Sequence, residues 1–387
     1  MTDGGPARSP VRMWTGASSP SCFDAPFRVL LLLLALFPDF SQCRYAPSGG
    51  QNAQNFIGWE DLRVDPSPVI NGEEIGGGAN ESTRIIVVDG RGGRGDSPTV
   101  QGAVDMVPDA NPRRVKILIY PGIYREKVTV PRSKPYVSFI GQENRPYQTV
   151  ITWDSKASDA DGDGDGTELG TYRSATVTVE ADYFCAAGIT VENTVAAVAG
   201  GRGMQAVALR MAGDRGVVYR VRVVGTQDTL LDDAGTHYFY QCHIQGSVDF
   251  IFGQARSLYQ GCVLESTAES YGAIAAHHRE RAEEETGFSF VNCVVNGTGR
   301  VYLGRAWGSH SRVVYAYSYI EGIVVHGGWS DWNDPGRRKT VEFGEYRCTG
   351  KGADTSGWVP WSQSFSFEQV RPFLDLTFIE GDTWLRL

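Results

Sequence analysis

The 387-residue chain has no C-x-x-C pair, no G-x-S-x-G element, no basic run and only one long apolar stretch. Each absence removes a class of function. Without C-x-x-C pairs, a zinc ribbon or a thioredoxin-like redox site is excluded. Without G-x-S-x-G, the strained turn that presents a serine nucleophile in standard esterases is missing. A formal charge of −9 with its cations scattered argues against nucleic acid or acidic lipid as partner. Histidine is scarce at six residues, and the adjacent His277 and His278 would point to opposite faces of a strand, so they do not ligate one metal together. The acidic stretch from Asp159 to Gly166 imitates a calcium loop, but Tyr172 stands where the bidentate glutamate is required. No cofactor and no metal are therefore expected. The apolar run from Val29 to Phe37 is nine residues long, too short to span a bilayer but suited to the core of a secretory signal, with Ser41 and Cys43 at a small-residue cleavage site. Residues 1–43 are read as an N-terminal extension with a signal peptide, and the polar, glycine-rich residues 44–80 as a linker.

What is present is a repeat. Short β-favouring segments begin at Val218, Phe239, Leu258, Phe290 and Tyr315, the first three close to 20 residues apart and the later ones spread by insertions. A period of this size in strand-only units predicts a single-domain, all-β solenoid, a parallel β-helix over residues 81–387. Forty-seven glycines suit its tight corners and 17 tyrosines its stacked ladders. Ser97 to Val107 reads as a capped helix that covers the open end of the stack. The tripeptide Arg94-Gly95-Asp96 before it is read as a turn. Asn80 and Asn296 begin N-glycosylation sequons. Cys262 and Cys293 occupy matching positions of two repeats, so an oxidising compartment allows either a disulfide between them or a stack of buried thiols.

Two aspartates share the period. Asp228 and Asp249 are 21 residues apart, which places their carboxyls on neighbouring coils, about 4.8 Å apart laterally. Two carboxyls so close repel when both are charged, so one tends to keep its proton while the other ionises. Asp249 sits among Val248, Phe250, Ile251 and Phe252, where a charge is costly without a partner.

The ordered motifs Gly122-Ile123-Tyr124-Arg125-Glu126, Gln205-Ala206-Val207-Ala208-Leu209, Gln227-Asp228-Thr229-Leu230, Gly246-Ser247-Val248-Asp249-Phe250-Ile251-Phe252-Gly253 and Tyr302-Leu303-Gly304-Arg305-Ala306-Trp307 resemble those of the plant pectinesterases, from about residue 80 onward. The resemblance implies a right-handed β-helix, secretion to the cell wall, and hydrolysis of pectin methyl esters. It assigns Asp249 as nucleophile and Asp228 as proton donor and acceptor, with Gln227 and Gln205 as amide donors to the oxyanion. Arg305 is expected to hold Asp249 ionised and oriented through a bidentate pair, which leaves Asp228 as the acid. Phe250 and Trp307 are expected to face sugar rings, with Thr176 as a further contact. Ala306 departs from the proline usual in the family. Only the 80 residues of the extension and linker precede the catalytic part, as in the short group that lacks an inhibitor-like pro-region. The partner is methylated pectin, a proteinaceous pectinesterase inhibitor is a second candidate, and the chain is expected to be a monomer.

Two other readings use the same residues. A backbone-cleaving glycosidase of the inverting type needs its carboxyls about 6.5–9.5 Å apart, wider than one coil step. A catalytically silent carbohydrate-binding protein has no need of Asp228, Asp249 and Arg305 together.

Overall fold

The computed structural model describes residues 56–64, 73–74, 83–93, 95–161, 166–196 and 201–387. The apolar run at 29–37, Ser41, Cys43, Asn80 and Arg94 lie outside the described residues.

Each repeat supplies three short strands separated by corners, and like strands of successive coils pair in parallel. The first face stacks Gly216–Tyr219, Thr236–Tyr240, Arg256–Gln260, Gly287–Val291, Arg312–Ala316 and Glu342–Tyr346. Arg222–Val224 and His243–Gly246 continue into the second face. Leu209–Met211, Leu230–Asp232 and Ile251–Gly253 form the third. On the next coil and the one after it the second and third faces run together, because Val263–His277 and Val294–Ala306 are continuous strands broken only by a register shift between Thr267 and Tyr271. The expected right-handed parallel β-helix is thus observed.

Corners and interior follow from residue type. The bend from first to second face is made in left-handed backbone, at Arg220 (φ 49), Gln241 (φ 52), Gly261 (φ 63), Asn292 (φ 54), Tyr317 (φ 52) and Arg347 (φ 51). One such residue per coil rotates the chain without lengthening it, at a steric cost for every side chain but glycine. Inside, Phe239, Tyr259, Phe290 and Tyr315 stack with centroids 4.5, 4.7 and 4.7 Å apart, the interval set by strand spacing. Burying each such ring contributes about 1.5–3 kcal/mol.

One open alternative is decided here and two expectations change. Cys262 and Cys293 are free, buried thiols. Equivalent side chains of a parallel ladder project side by side, and these thiols donate instead to carbonyls of the preceding coil, Cys262 to Phe239 and Cys293 to Tyr259, both at 3.4 Å. Part of the presumed linker is also packed structure. Ile57–Gly58 pairs in parallel with Leu385–Arg386, and Ile57 and Leu62 are buried against the first face with Val370, Ile379 and Trp384, because this otherwise polar stretch places apolar residues where they can cover that face. The capping helix is shorter than the sequence suggests, spanning Val100–Asp105. Thr99 caps it by accepting from Gly102 N, and the Glu126 carboxylate takes the amides of Val100 and Gln101 at 2.8 Å each. Its buried residues Val100, Ala103 and Val104 join the solenoid core.

Candidate active site

The two aspartates stand at the corner between second and third faces. Leu230 pairs with Ile251, so Asp228 and Asp249, each two residues earlier, are lateral neighbours, and a bridge between Gln227 and Val248 fixes that register. Asp228 N donates to Val248 O at 3.0 Å. Both aspartates are left-handed, with φ 61 and φ 47, a conformation that short Asp and Asn side chains tolerate better than others do. The tight corner also demands Gly246, where a Cβ would come within 2.3 Å of Phe250 Cβ and 2.6 Å of Thr229 Oγ1.

Arg305 belongs to the third face two coils beyond Asp249. Phe252 pairs with Ala276 and Ala276 with Arg305, and the small side chain of Ala276 leaves room for the guanidinium to reach back. Arg305 Nη1 donates to Asp249 Oδ2 at 2.8 Å, a single bond where a bidentate pair was expected. The guanidinium also lies over the Trp332 ring, 3.9 Å from its centroid. Arg305 is thereby fixed from two directions. Trp332 was missed in the sequence, although it lies two residues beyond Ser330, which pairs with Arg305.

The two carboxyls are driven apart electrostatically. Burial raises Asp249, and the charge and hydrogen bond of Arg305 pull it back to about 6. Burial and the Asp249 charge raise Asp228 well above the usual range, against weaker opposition from Arg305 and a hydrogen bond with Gln227. Near neutrality Asp249 is the anion and Asp228 the acid. Asp249 Oδ1 is buried without a hydrogen-bond partner among the described residues. That is an unfavourable state for a carboxylate oxygen held only for structure.

The remaining expected contacts divide. The Gln227 amide reaches Asp228. Gln205 is on the same edge one coil before Gln227: Ala206 N donates to Gln227 O at 3.1 Å, the pattern by which Asp228 N meets Val248 O where Gln227 bridges to Val248. The interval there is 22 residues, and the strand that follows repeats at 21, Leu209 pairing with Leu230. Trp307 stands at the surface beside Phe252 and His278, at 6.0 and 4.4 Å. With Trp332 it rims an apolar floor of Val207, Leu231, Phe252 and Ala276. Phe250 is not on that floor. It is fully buried in the interior beside Ile251, because the left-handed turn at Asp249 interrupts strand alternation, and Phe252 takes the outward place. Thr176 is also fully buried and donates to Glu192 O at 2.9 Å, which excludes it as a sugar contact. The clamp that proline would supply beside Arg305 is supplied by Arg337, whose Nη1 donates to the carbonyls of Ala306 and Trp307.

His277 and His278 do point to opposite faces. His277 is buried and held down to about 3 by desolvation, while His278 packs on Trp307. Asp159 and Asp161 of the acidic loop are paired with Lys156 and Arg173. Asn296 is half-buried inside the strand Val294–Ala306, its Oδ1 shielded.

Comparison with known proteins agrees with this geometry. The Pectinesterase family profile matches residues 85–382. Pectinesterase QRT1 of Arabidopsis thaliana is 56% identical over 361 residues, covering 90% of this chain and 94% of its own. Probable pectinesterase 8 of the same plant is 42% identical over 316 residues, 79% of this chain and 77% of its own. Among solved structures, the pectin methylesterase from carrot superposes with a TM-score of 0.70 at 33% identity, covering 77% of this chain and 94% of that one. The deglycosylated pectin methylesterase from Aspergillus niger gives 0.66 at 29% identity, over 78% and 96%. Similar to these proteins along nearly the whole solenoid, in sequence as in coil geometry, the chain belongs to the pectinesterase family.

Proposed function

We propose that this pectinesterase hydrolyses the methyl esters of homogalacturonan through an Asp249 acyl-enzyme, releasing methanol and leaving carboxylates on the chain. The observation that carries the assignment of roles is the unequal environment of the two acids, one hydrogen-bonded to a guanidinium and the other to a neutral amide beside the first acid. Ionised Asp249 attacks the ester carbonyl, and the tetrahedral oxyanion is held by the side-chain amides of Gln227 and Gln205. As the intermediate collapses, the C–O bond to the methoxy group breaks and Asp228 gives that oxygen its proton. The Asp228 anion then takes a proton from water, whose oxygen attacks the galacturonyl carbonyl. Collapse of this second intermediate frees Asp249, and both carboxyls are restored.

Trp307, Trp332 and Phe252 form the wall and floor against which the sugar ring lies, and Arg305 orients the nucleophile. The enzyme acts outside the cell, in the wall. As further parts of the proposal, it works as a monomer and accepts a proteinaceous pectinesterase inhibitor over this cleft. Methanol release from methylated pectin, measured beside the appearance of new reducing ends, tests the reading. Methanol without reducing ends supports it; reducing ends without methanol would show a glycosidase, and neither product a silent binder.

A further inference from the structure

Along the edge that carries the acids, the solenoid continues for several coils beyond Asp249. Gly272, in register with Val248, pairs with Val301, and Val301 bridges to Val324. Ala273 and Tyr302 are the coil neighbours of Asp249, and just before Gly272 and Val301 the same edge carries Tyr271 and Arg300, followed on later coils by the loop from Gly322 to His326 and by Lys351. At about 4.8 Å per coil, Arg300, His326 and Lys351 lie roughly 10–20 Å down the axis from the nucleophile.

A pocket of ≈ 230 Å³ opens there, lined by Arg300, His326, Lys351, Asp354, Gly357 and Trp358 among others. Arg300, His326 and Lys351 are exposed. None of the three side chains forms an ion pair or hydrogen bond with another described residue, whereas that of the cation nearest the chemistry, Arg305, is paired. Asp354 is the one acid in the lining, and its Oδ1 accepts from Ser356 N at 3.0 Å. Glycines give the pocket its room. A Cβ on Gly357 would come within 2.6 Å of the His326 ring, and one on Gly352 within 2.1 Å of Glu321 O. Between the acids and this pocket stands Tyr271, 68% exposed and in register with Arg300.

We infer that Arg300, Lys351 and His326 form a distal subsite for the free carboxylates of already de-esterified galacturonate units on the same polymer that occupies the active site. The inference rests on the esterase reading, which makes every turnover convert a neutral ester into an anion. A chain lying along this edge passes Tyr271, a flat face for one ring, and presents its carboxylates to unpaired cations in a protein whose net charge is −9. The subsite makes partly de-esterified pectin a better substrate than a short, fully methylated oligomer, and so directs turnover to esters near existing carboxylates.

The test uses the full chain, the double variant Arg300→Ala/Lys351→Ala and the charge-preserving Arg300→Lys/Lys351→Arg. Direct binding is measured by calorimetry with polygalacturonate, which has no ester to react. The alanine pair should bind it about fivefold more weakly at low salt, a difference that shrinks at high salt, and the charge-preserving pair should retain most of the affinity. In methanol-release assays the alanine pair should raise KM for half-methylated pectin by a similar factor while a fully methylated trimer is turned over as by wild type. Unchanged polygalacturonate binding in the alanine pair would overturn the subsite. A wild-type protein that binds polygalacturonate through these residues but releases no methanol from any substrate would leave the subsite standing and sink the esterase reading instead.

Discussion

Asp249 and Asp232 are two buried carboxylates one coil and a few residues apart, and their surroundings are opposite. Asp232 is fully buried with both oxygens engaged: Oδ1 meets His237 Nδ1 at 2.5 Å, and Oδ2 accepts from Tyr259 Oη at 2.6 Å. The other ring nitrogen of His237 faces Gly213 O at 2.8 Å, so both imidazole nitrogens meet acceptors and the cation is favoured. Burial alone would lower the His237 pKa; the Asp232 charge and these hydrogen bonds outweigh it and raise it. Asp249 has one bond to a cation and one orphaned oxygen. A closed network serves the fold, whereas an open one keeps an oxygen free for an incoming carbonyl.

The largest effect that separates the two should come from Asp249→Asn. The amide preserves shape and tolerates the left-handed backbone but cannot attack, so methanol release should fall ~10⁴-fold, as when a reacting group of an acyl-transfer site is removed. Because the wild-type carboxyl is held at about 6, above its ordinary value, ionising it disfavours the fold, and the variant should melt no lower than wild type at neutral pH. A large drop in melting temperature would erase the distinction between the two carboxylates.

Asp232→Ala should do the reverse. It leaves a buried imidazole and phenol without their acceptor and should cost about 3–5 kcal/mol in urea unfolding, with kcat of the folded enzyme retained. His237 also gives this network a pH signature. Its folded pKa lies above the ordinary 6.5, so its contribution is complete below that value and is lost as pH rises through the folded pKa. Stability from this network should thus decline with rising pH in wild type, and Asp232→Ala should flatten that decline.

A smaller effect, confined to chemistry, is expected for Gln227→Ala, where kcat should fall about 10²–10³-fold with KM little changed, as for one oxyanion donor. A change in KM alone would place Gln227 in ground-state binding. Smaller still should be the change in pH profile for Arg305→Met. Activity in wild type should rise as Asp249 ionises through about 6. Without the guanidinium this acidic limb should move up by about one unit or more, and Arg305→Lys should show a lesser shift. A limb that stays in place in a folded, weakly active Arg305→Met enzyme would confine the arginine to packing on Trp332.

The coil period was legible because strands stacked in parallel repeat their inward residues at near-constant intervals, and from it came the pairing of Asp228 with Asp249. What failed to show was orientation at corners. Left-handed residues break the alternation that a reader extrapolates, so Phe250 was placed outside and Phe252 passed over. Thr176 was read as surface because nothing local tells that its hydroxyl serves the Glu192 carbonyl. Trp332 depends on which loop folds back over Arg305, a contact between segments 27 residues apart that no periodicity announces.

The reach of Arg305 across Ala276 has a consequence for how such a protein can change. A solenoid accepts a whole extra turn with little disturbance, since each coil needs only its neighbours. This site is drawn from successive turns held at a fixed count: Gln205 on one, Gln227 and Asp228 on the next, Asp249 on the third, a spacer, then Arg305. One added turn below Gln205 would lengthen the scaffold and leave the chemistry alone. The same turn inserted between Asp249 and Arg305 would move the guanidinium about 4.8 Å out of range. Growth by duplication is therefore open at the ends of the stack and closed at its centre, and a larger side chain in place of Ala276 should imitate that insertion without altering the length of the chain.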